Sequence, residues 1–203
     1  MLKRGANSAG FTLLEMVVTM SIFAILVGLG VPSMRLWIAN TKVRSVADSL
    51  QNGLRLAQAE SLRRSRQTVF YLTNSTTPAA ARTANANGNY WAIETVPLIG
   101  SLAEIPEFIQ SGEVSAINSG VQVANVTDTA VCFNSVGRLT ANAATGITNA
   151  TCTLPPAIPP VSMFNITAPG ADRPLNVMVT LGGQVHLCDP AKSLTTEPDG
   201  CPP

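Results

Sequence analysis

Residues 11–34 of this 203-residue chain are almost continuously apolar, and Glu15 is the one charged side chain among them. A helix needs about 20 apolar residues to cross the hydrocarbon layer of a membrane. Between residues 35 and 66 the spacing changes, and apolar side chains recur every three or four positions, which predicts an amphipathic helix with one buried face. The residues on that face are Val43, Val46, Ala47, Leu50, Leu54 and Ala57. The pattern therefore predicts one long helix over residues 11–66.

Beyond residue 67 the chain changes to short runs rich in β-branched and aromatic residues, separated by clusters of Gly, Pro, Asn and Thr. Such runs predict the strands of an antiparallel sheet. The predicted strands are residues 68–73, 90–96, 121–126, 131–133, 163–167 and 176–181, and the predicted loops are residues 74–89 and 140–160. Gly182 and Gly183 can take the positive φ angles of a tight turn, so residues 176–188 predict a hairpin. The expected fold class is α+β, a long N-terminal α-helix packed on a C-terminal antiparallel β-sheet head.

Three residues near the end of the apolar segment weaken the predicted helix. Pro32 lacks an amide donor and its ring crowds the carbonyl group of Gly28, while Gly30 loosens the same turn. A kink or soft point is expected there. A proline that the membrane helix merely tolerates is the alternative explanation.

Glu15 lies where a carboxylate is costly, because burial of this charge in a membrane costs about 2.5–3.5 kcal/mol on insertion scales. Residues 1–10 are short, hydrophilic and basic. The positive-inside tendency keeps such a segment in the cytoplasm and directs the rest of the chain outward. If the chain is cut between Gly10 and Phe11, the new ammonium group lies one helical turn before Glu15. The helix dipole also favours a negative charge at this end.

The overall charge argues against a general nucleic-acid-binding protein, because 13 Lys and Arg residues face 12 Asp and Glu residues. The four cysteines are Cys132, Cys152, Cys188 and Cys201, all in the C-terminal half and without a CxxC pair. In an exported protein this even number predicts two disulfides. Sequence order suggests the pairs Cys132–Cys152 and Cys188–Cys201, although four cysteines permit three connectivities. With one histidine in the chain, neither a metal site nor a cofactor is expected.

The segment Gly10-Phe-Thr-Leu-Leu-Glu15, after a short basic leader and before an apolar helix, resembles the class III signal of type IV pilins and type II secretion pseudopilins. The resemblance implies that a prepilin peptidase cleaves after Gly10 and methylates the new N-terminal residue, Phe11. It also implies that Glu15 neutralises the N-terminus of a neighbouring subunit during filament assembly. In related pilins a region like that of Gly28, Gly30 and Pro32 loses helicity in the filament.

The head resembles the minor pilins and pseudopilins of the GspH/FimT family. The matching segments are residues 54–64, Tyr90-Trp91, residues 132–138 and residues 182–190. The resemblance implies a cleaved leader at residues 1–10, a transmembrane and assembly segment at 11–34, an amphipathic helix at 35–66 and a periplasmic β-rich head at 67–203. The protein would be a single-pass protein of the bacterial inner membrane. Its partners would be other major and minor pilins or pseudopilins, the prepilin peptidase and the inner-membrane assembly platform.

The resemblance implies a minor pilin that helps initiate or cap a type IV pilus, with a type II secretion pseudopilin as the alternative. Some family members bind DNA through a C-terminal Gly-Arg-x-Arg motif. Here Gln184 and His186 replace both arginines and Arg138 is an isolated cation, so DNA binding is disfavoured, since phosphate neutralisation supplies most non-specific affinity. An enzyme is not expected, because His186 has no nucleophile or carboxylate arranged around it in sequence and Glu104 and Glu107 are predicted to be ordinary loop charges.

Overall fold

The structure is a computed structural model that describes residues 10–97, 104–114, 120–125, 129–155 and 161–202. The chain forms one long helix followed by a head of nine strands and one short helix within these ranges. The elements are α1 Leu13–Arg64, β1 Thr68–Thr73, α2 Pro78–Ala81, β2 Tyr90–Thr95, β3 Phe108–Glu113, β4 Gln122–Asn125, β5 Ala130–Phe133, β6 Val161–Thr167, β7 Leu175–Thr180, β8 Val185–Ser193 and β9 Gly200–Cys201. The predicted α+β class is confirmed.

Helix α1 has 52 residues and runs unbroken through the predicted soft point. It begins two residues later than predicted, because Thr12 is the N-cap, and it ends at Arg64, because Ser65 takes the left-handed conformation. At 1.5 Å per residue the helix is about 78 Å long, far longer than the head needs. The expectation that residues 28–32 loosen during assembly remains a prediction.

The two parts of α1 have opposite environments. The six residues of the predicted apolar face are at most 6% exposed, whereas the apolar residues between Phe11 and Ile38 whose side chains the structure describes are exposed. The second part of the helix is thus the spine of the head, and the first part projects from it.

The strands form two sheets that pack on the same helix. One sheet has the order β3-β2-β1-β5 and the other has the order β4-β6-β7-β8-β9. Except for the parallel pair β8–β9, all neighbouring strands are antiparallel. The main core lies between the helix and both sheets, with Leu50, Leu54, Phe70, Phe133 and Phe164 almost completely buried.

Several parts of the head were not predicted. The segment Phe108–Glu113 lacks a clear apolar alternation. It forms strand β3 at a sheet edge, where a strand pairs with a neighbouring strand on one side only. Strand β9, which has two residues, was not predicted, and it pairs with β8 in parallel at the edge of an otherwise antiparallel sheet. The predicted loop at residues 74–89 contains the four-residue helix α2. Strand β1 has the predicted bounds, and the other described strand ends lie within two residues of the predicted ones, apart from β8, which extends five residues beyond the predicted hairpin to Ser193. The predicted end of the strand at 121–126 lies outside the described residues.

Both predicted disulfides are confirmed. Cys132 on β5 bonds to Cys152, and Cys188 on β8 bonds to Cys201 on β9, with Cα–Cα distances of 5.7 and 5.0 Å. The first bond joins the β1–β5 sheet to the loop that follows it. The second holds the C-terminal tail on the hairpin. Each closed loop contributes about 3 kcal/mol of stability in the chain-entropy model.

The end of α1 offers a stabilising substitution. Ser65 has a φ of 50°, a conformation that glycine adopts without the steric cost of a Cβ. We expect Ser65→Gly to raise the free energy of unfolding by roughly 0.5–1 kcal/mol. Urea unfolding of the detergent-solubilised chain would measure this change. Ser65→Ala, which keeps the Cβ, is the matched control and should leave stability nearly unchanged; a loss of stability in Ser65→Gly would contradict the prediction.

Candidate functional site

The first turn of α1 is built by Thr12 and Glu15. The Thr12 side-chain oxygen accepts a hydrogen bond from the Glu15 amide at 3.2 Å, and the Thr12 carbonyl accepts one from the Met16 amide at 3.2 Å. The spacing Thr-x-x-Glu is that of a capping box, in which the side chains of the first turn satisfy free amides. The spacing was visible in the sequence, but Thr12 was not singled out there. The cap fixes where the helix starts.

Gly10 and Phe11 lie just outside this cap, in non-helical backbone. Phe11 is 77% exposed, and no atom lies within 4 Å of the point where a Cβ on Gly10 would be. The peptide bond between them is therefore sterically accessible. The rest of the predicted leader, residues 1–9, lies outside the described residues.

Glu15 is exposed and, among the described residues, forms no ion pair. Its carboxylate stands in the first helical turn, where free amides make the helix end positive. A new ammonium group on Phe11 would add positive charge just before the N-cap, at the same end. The predicted role of Glu15, to neutralise the N-terminus of a neighbouring subunit, stays a prediction.

The projecting part of α1 is suited to an apolar environment. The most apolar 18-residue window of the helix has a mean hydropathy of 2.2 and contains no buried residue. By length and composition, α1 is long and apolar enough to cross a membrane. In aqueous solution this apolar helix surface would be exposed to water, which is unfavourable for a patch of this size.

The basic residues at and just after the end of α1 are ion-paired. Arg64 bonds to Glu60 at 2.8 Å and to Glu107 at 2.9 Å, and Arg66 bonds to Glu104 at 2.5 Å. Glu104 and Glu107 are thus not ordinary loop charges, because they hold their segment on the helix end. Hydrogen bonds from Arg63 and Arg64 lower the pKa of Glu60 to about 2.

A buried charge lies in the first sheet. Glu94 on β2 is 0% exposed, accepts a hydrogen bond from the Tyr71 hydroxyl at 2.8 Å and pairs with Arg82 at 3.0 Å. Burial raises the pKa of Glu94, and the two hydrogen bonds oppose that shift. Burial likewise raises the pKa of Tyr71, which stays a neutral donor. Arg82 also donates to the carbonyl of Pro106 at 2.7 Å, so the network joins two loops to the sheet. The sequence carries no signal for this network, because its members are far apart along the chain.

The residues at the positions of the DNA-binding motif come together at the end of the head near the C-terminus of α1. Gln184 and His186 are exposed neighbours, with 3.5 Å between Oε1 and Nε2. Gly183, with a φ of 87°, packs against the carbonyl of Gly137, so the exposed Arg138 lies on the adjoining turn. The structure therefore brings the three residues near one another, and it adds the exposed Arg55 of α1, whose guanidinium donates to the Val185 carbonyl at 3.4 Å. DNA binding remains a disfavoured prediction.

No group of three or more His, Cys, Asp or Glu side chains that could hold a metal ion is found within the ranges that the structure describes. His186 contacts Gln184 and no nucleophile there.

A family model described as the prokaryotic N-terminal methylation motif matches residues 5–31. The type IV minor pilin FimU of Pseudomonas aeruginosa is similar in structure, with 15% identity and a TM-score of 0.50 over 75% of this chain and 92% of that chain in one crystal form. In a second crystal form of FimU the identity is 16% and the TM-score is 0.47, over 73% of this chain and 94% of that chain. The minor pseudopilin EpsH of the Vibrio cholerae type 2 secretion system is 12% identical, with a TM-score of 0.45 over 74% of this chain and 99% of that chain. No curated protein matches the chain.

At these identities the structural likeness concerns the fold. The chain carries the methylation motif of prokaryotic pilins on a type IV pilin-like fold, as the sequence resemblance predicted. The motif ends at residue 31, so it covers the leader, the capped helix start and the apolar segment, but not the head.

Proposed function

We propose that this chain is the precursor of a minor subunit of a type IV pilin-like filament, and that it helps to initiate or cap that filament. One observation carries the proposal. The methylation motif spans the end of the leader and the first part of a capped, unbroken helix. That first part is apolar and exposed, and the second part of the helix is embedded in a disulfide-bonded head.

This arrangement gives each segment of the chain its own role in the proposal. Residues 1–10 are the leader, and cleavage after Gly10 exposes Phe11 for methylation. Residues 11–34 anchor the subunit in the inner membrane and later pack against other subunits. Residues 35–66 are the spine of the head, and residues 67–203 form the periplasmic head. The partners are other pilin-like subunits, the prepilin peptidase and the assembly platform, and the role is structural, without catalysis.

Glu15 connects cleavage with assembly in this proposal. A carboxylate that enters an apolar filament core needs a cation, and the ammonium of a processed N-terminus is the nearest one that the chain supplies. We expect the same charge to be dispensable for cleavage, because the scissile bond lies before the Thr12 N-cap, outside helix α1.

We expect Glu15→Gln to be processed normally but to enter filaments at least about tenfold less than the unaltered subunit, which corresponds to about 1.4 kcal/mol of lost interaction. Immunoblots of sheared filament fractions and of whole cells of a piliated host would measure incorporation and processing. Glu113→Gln, the same change at an exposed position of β3, is the matched control and should incorporate normally.

Normal incorporation of Glu15→Gln would contradict the proposed role of this carboxylate. Scoring the same strains for pilus number and for type II secretion would separate a minor pilin from a pseudopilin, because each assignment predicts a defect in one process and not in the other.

A further inference from the structure

The edge of the head that faces the projecting part of α1 is fastened to the helix at Asn40. The Asn40 side chain donates to the Asp172 carboxylate at 2.7 Å and accepts from the amides of Asp172 and Arg173 at 3.2 and 3.3 Å. These three hydrogen bonds fix the turn between β6 and β7 at one height along the helix. The helix residues between Met34 and Asn40 therefore lie between the apolar segment and the edge of the head.

This edge lies at the depth of the lipid headgroups in a subunit that spans the membrane. Asn40 lies six residues after Met34, which corresponds to about 9 Å along the helix. The headgroup region extends roughly 5–8 Å beyond the hydrocarbon core on each side. Trp37 lies in this interval and is 68% exposed, and tryptophan is enriched at the boundary between membrane and water.

A groove of about 950 Å³ opens at this height between α1 and the second sheet. Its apolar lining includes Leu36, Leu175 and Leu187, and its charged lining includes Arg44, Arg173 and Asp189. The groove thus combines an apolar surface with charges of both signs. A purely anionic or purely cationic ligand would match only part of it.

The charges that line the groove are not equally available. Lys192, which also lines it, is balanced by Asp199 at 2.7 Å and Glu197 at 2.8 Å. Arg44 pairs with Asp48 at 3.4 Å, and both side chains are half-exposed or more, so this pair is weak. The Arg173 side chain forms no ion pair with any described residue.

The carboxylate of Asp189 completes the set. It accepts one hydrogen bond, from the Ala191 amide at 2.9 Å, and keeps capacity for further donors. The other charged lining residues have partners, because Lys192 pairs with Asp199 and the Asp172 carboxylate accepts from Asn40. The remaining two arginines and the carboxylate of Asp189 match a ligand that carries a phosphate and an ammonium a few atoms apart.

We propose that this groove binds the headgroup of a zwitterionic phospholipid with a primary ammonium group before the subunit enters the filament. The phosphate contacts Arg44 and Arg173, the ammonium contacts Asp189, and the acyl chains follow the apolar surface of α1 past Leu36. Bound lipid would hold the head at a fixed height on the membrane. The inference rests on the proposed membrane insertion.

The test uses the full chain in nanodiscs made of equal parts phosphatidylethanolamine, phosphatidylcholine and phosphatidylglycerol. Native mass spectrometry after release from the disc counts the lipids that stay bound. We expect phosphatidylethanolamine to be retained about five- to tenfold over phosphatidylcholine, whose quaternary ammonium cannot donate a hydrogen bond. Arg173→Ala and Asp189→Asn should each abolish this preference. Arg138→Ala, at the opposite end of the head, is the matched control and should keep it.

Quenching of tryptophan fluorescence by brominated lipids tests membrane insertion separately from headgroup binding. Trp37 is exposed at the headgroup depth, whereas Trp91 is 6% exposed in the core, so quenching reports on Trp37. Quenching without a preference for phosphatidylethanolamine, or with stronger retention of phosphatidylglycerol, would overturn the headgroup site and leave the proposed function standing. Absence of quenching would overturn membrane insertion and this site with it.

Discussion

Gly10→Val should leave the leader attached and keep the chain as an uncut precursor in the membrane. The structure gives no reason for the variant to misfold, because the space around Gly10 is open and the Thr12 cap lies beyond it. We therefore attribute the block to the contact between the proposed peptidase and the residue before the scissile bond. Intact mass spectrometry of the purified chain would measure the expected complete loss of processing.

The same replacement at Gly5, inside the leader, is the matched control. It adds an equal side chain five residues upstream, so it should be processed like the unaltered chain. Cleavage of the Gly10→Val variant between residues 10 and 11, or trimming of the unaltered chain at another bond, would contradict the assigned cleavage site and with it the proposed function.

Arg82→Ala should destabilise the head by about 3–5 kcal/mol at neutral pH, because it leaves a buried carboxylate without its cation. Glu94 is 0% exposed, and Tyr71 alone would remain as its side-chain partner. Loss of the bond from Arg82 to the Pro106 carbonyl adds to the effect. Chemical unfolding of the detergent-solubilised chain, with tryptophan fluorescence as the signal, would measure the change.

The deficit of Arg82→Ala should shrink in acid. Burial raises the pKa of Glu94 in the folded chain, so the folded state binds a proton more tightly than the unfolded state. The free energy of unfolding therefore falls as pH rises from the unfolded value, about 4.3, to the folded pKa, and is level above it. Removal of Arg82 raises the pKa of Glu94 in the folded chain further, which widens the pH range over which stability falls.

Two further variants make the prediction specific. Arg44→Ala removes an exposed pair with Asp48 and should cost at most about 1 kcal/mol at any pH. Adding Glu94→Gln to Arg82→Ala removes the stranded charge and should restore much of the lost stability at neutral pH. An Arg82→Ala deficit that is equal at pH 4 and pH 7 would show that the buried charge is not its cause.

The sequence alone determined the features that depend on local pattern. The uninterrupted apolar run, the three-and-four spacing of Val43 to Ala57 and the position of Glu15 each require only neighbours along one helix. The disulfide pairing could also be proposed, because each pair closes a short segment. Strands with β-branched and aromatic residues, such as Thr68–Thr73, were predicted for the same local reason.

The tertiary structure decided what depends on residues that are distant along the chain. Strand β9 exists because the Cys188–Cys201 bond holds two residues beside β8, and β3 exists because β2 offers it an edge. The buried charge of Glu94 and the pairing of Arg66 with Glu104 require loops to fold back on a sheet and a helix. Periodicity records which face of an element is buried, but the identity of the group that meets a buried charge is set when separate elements pack together.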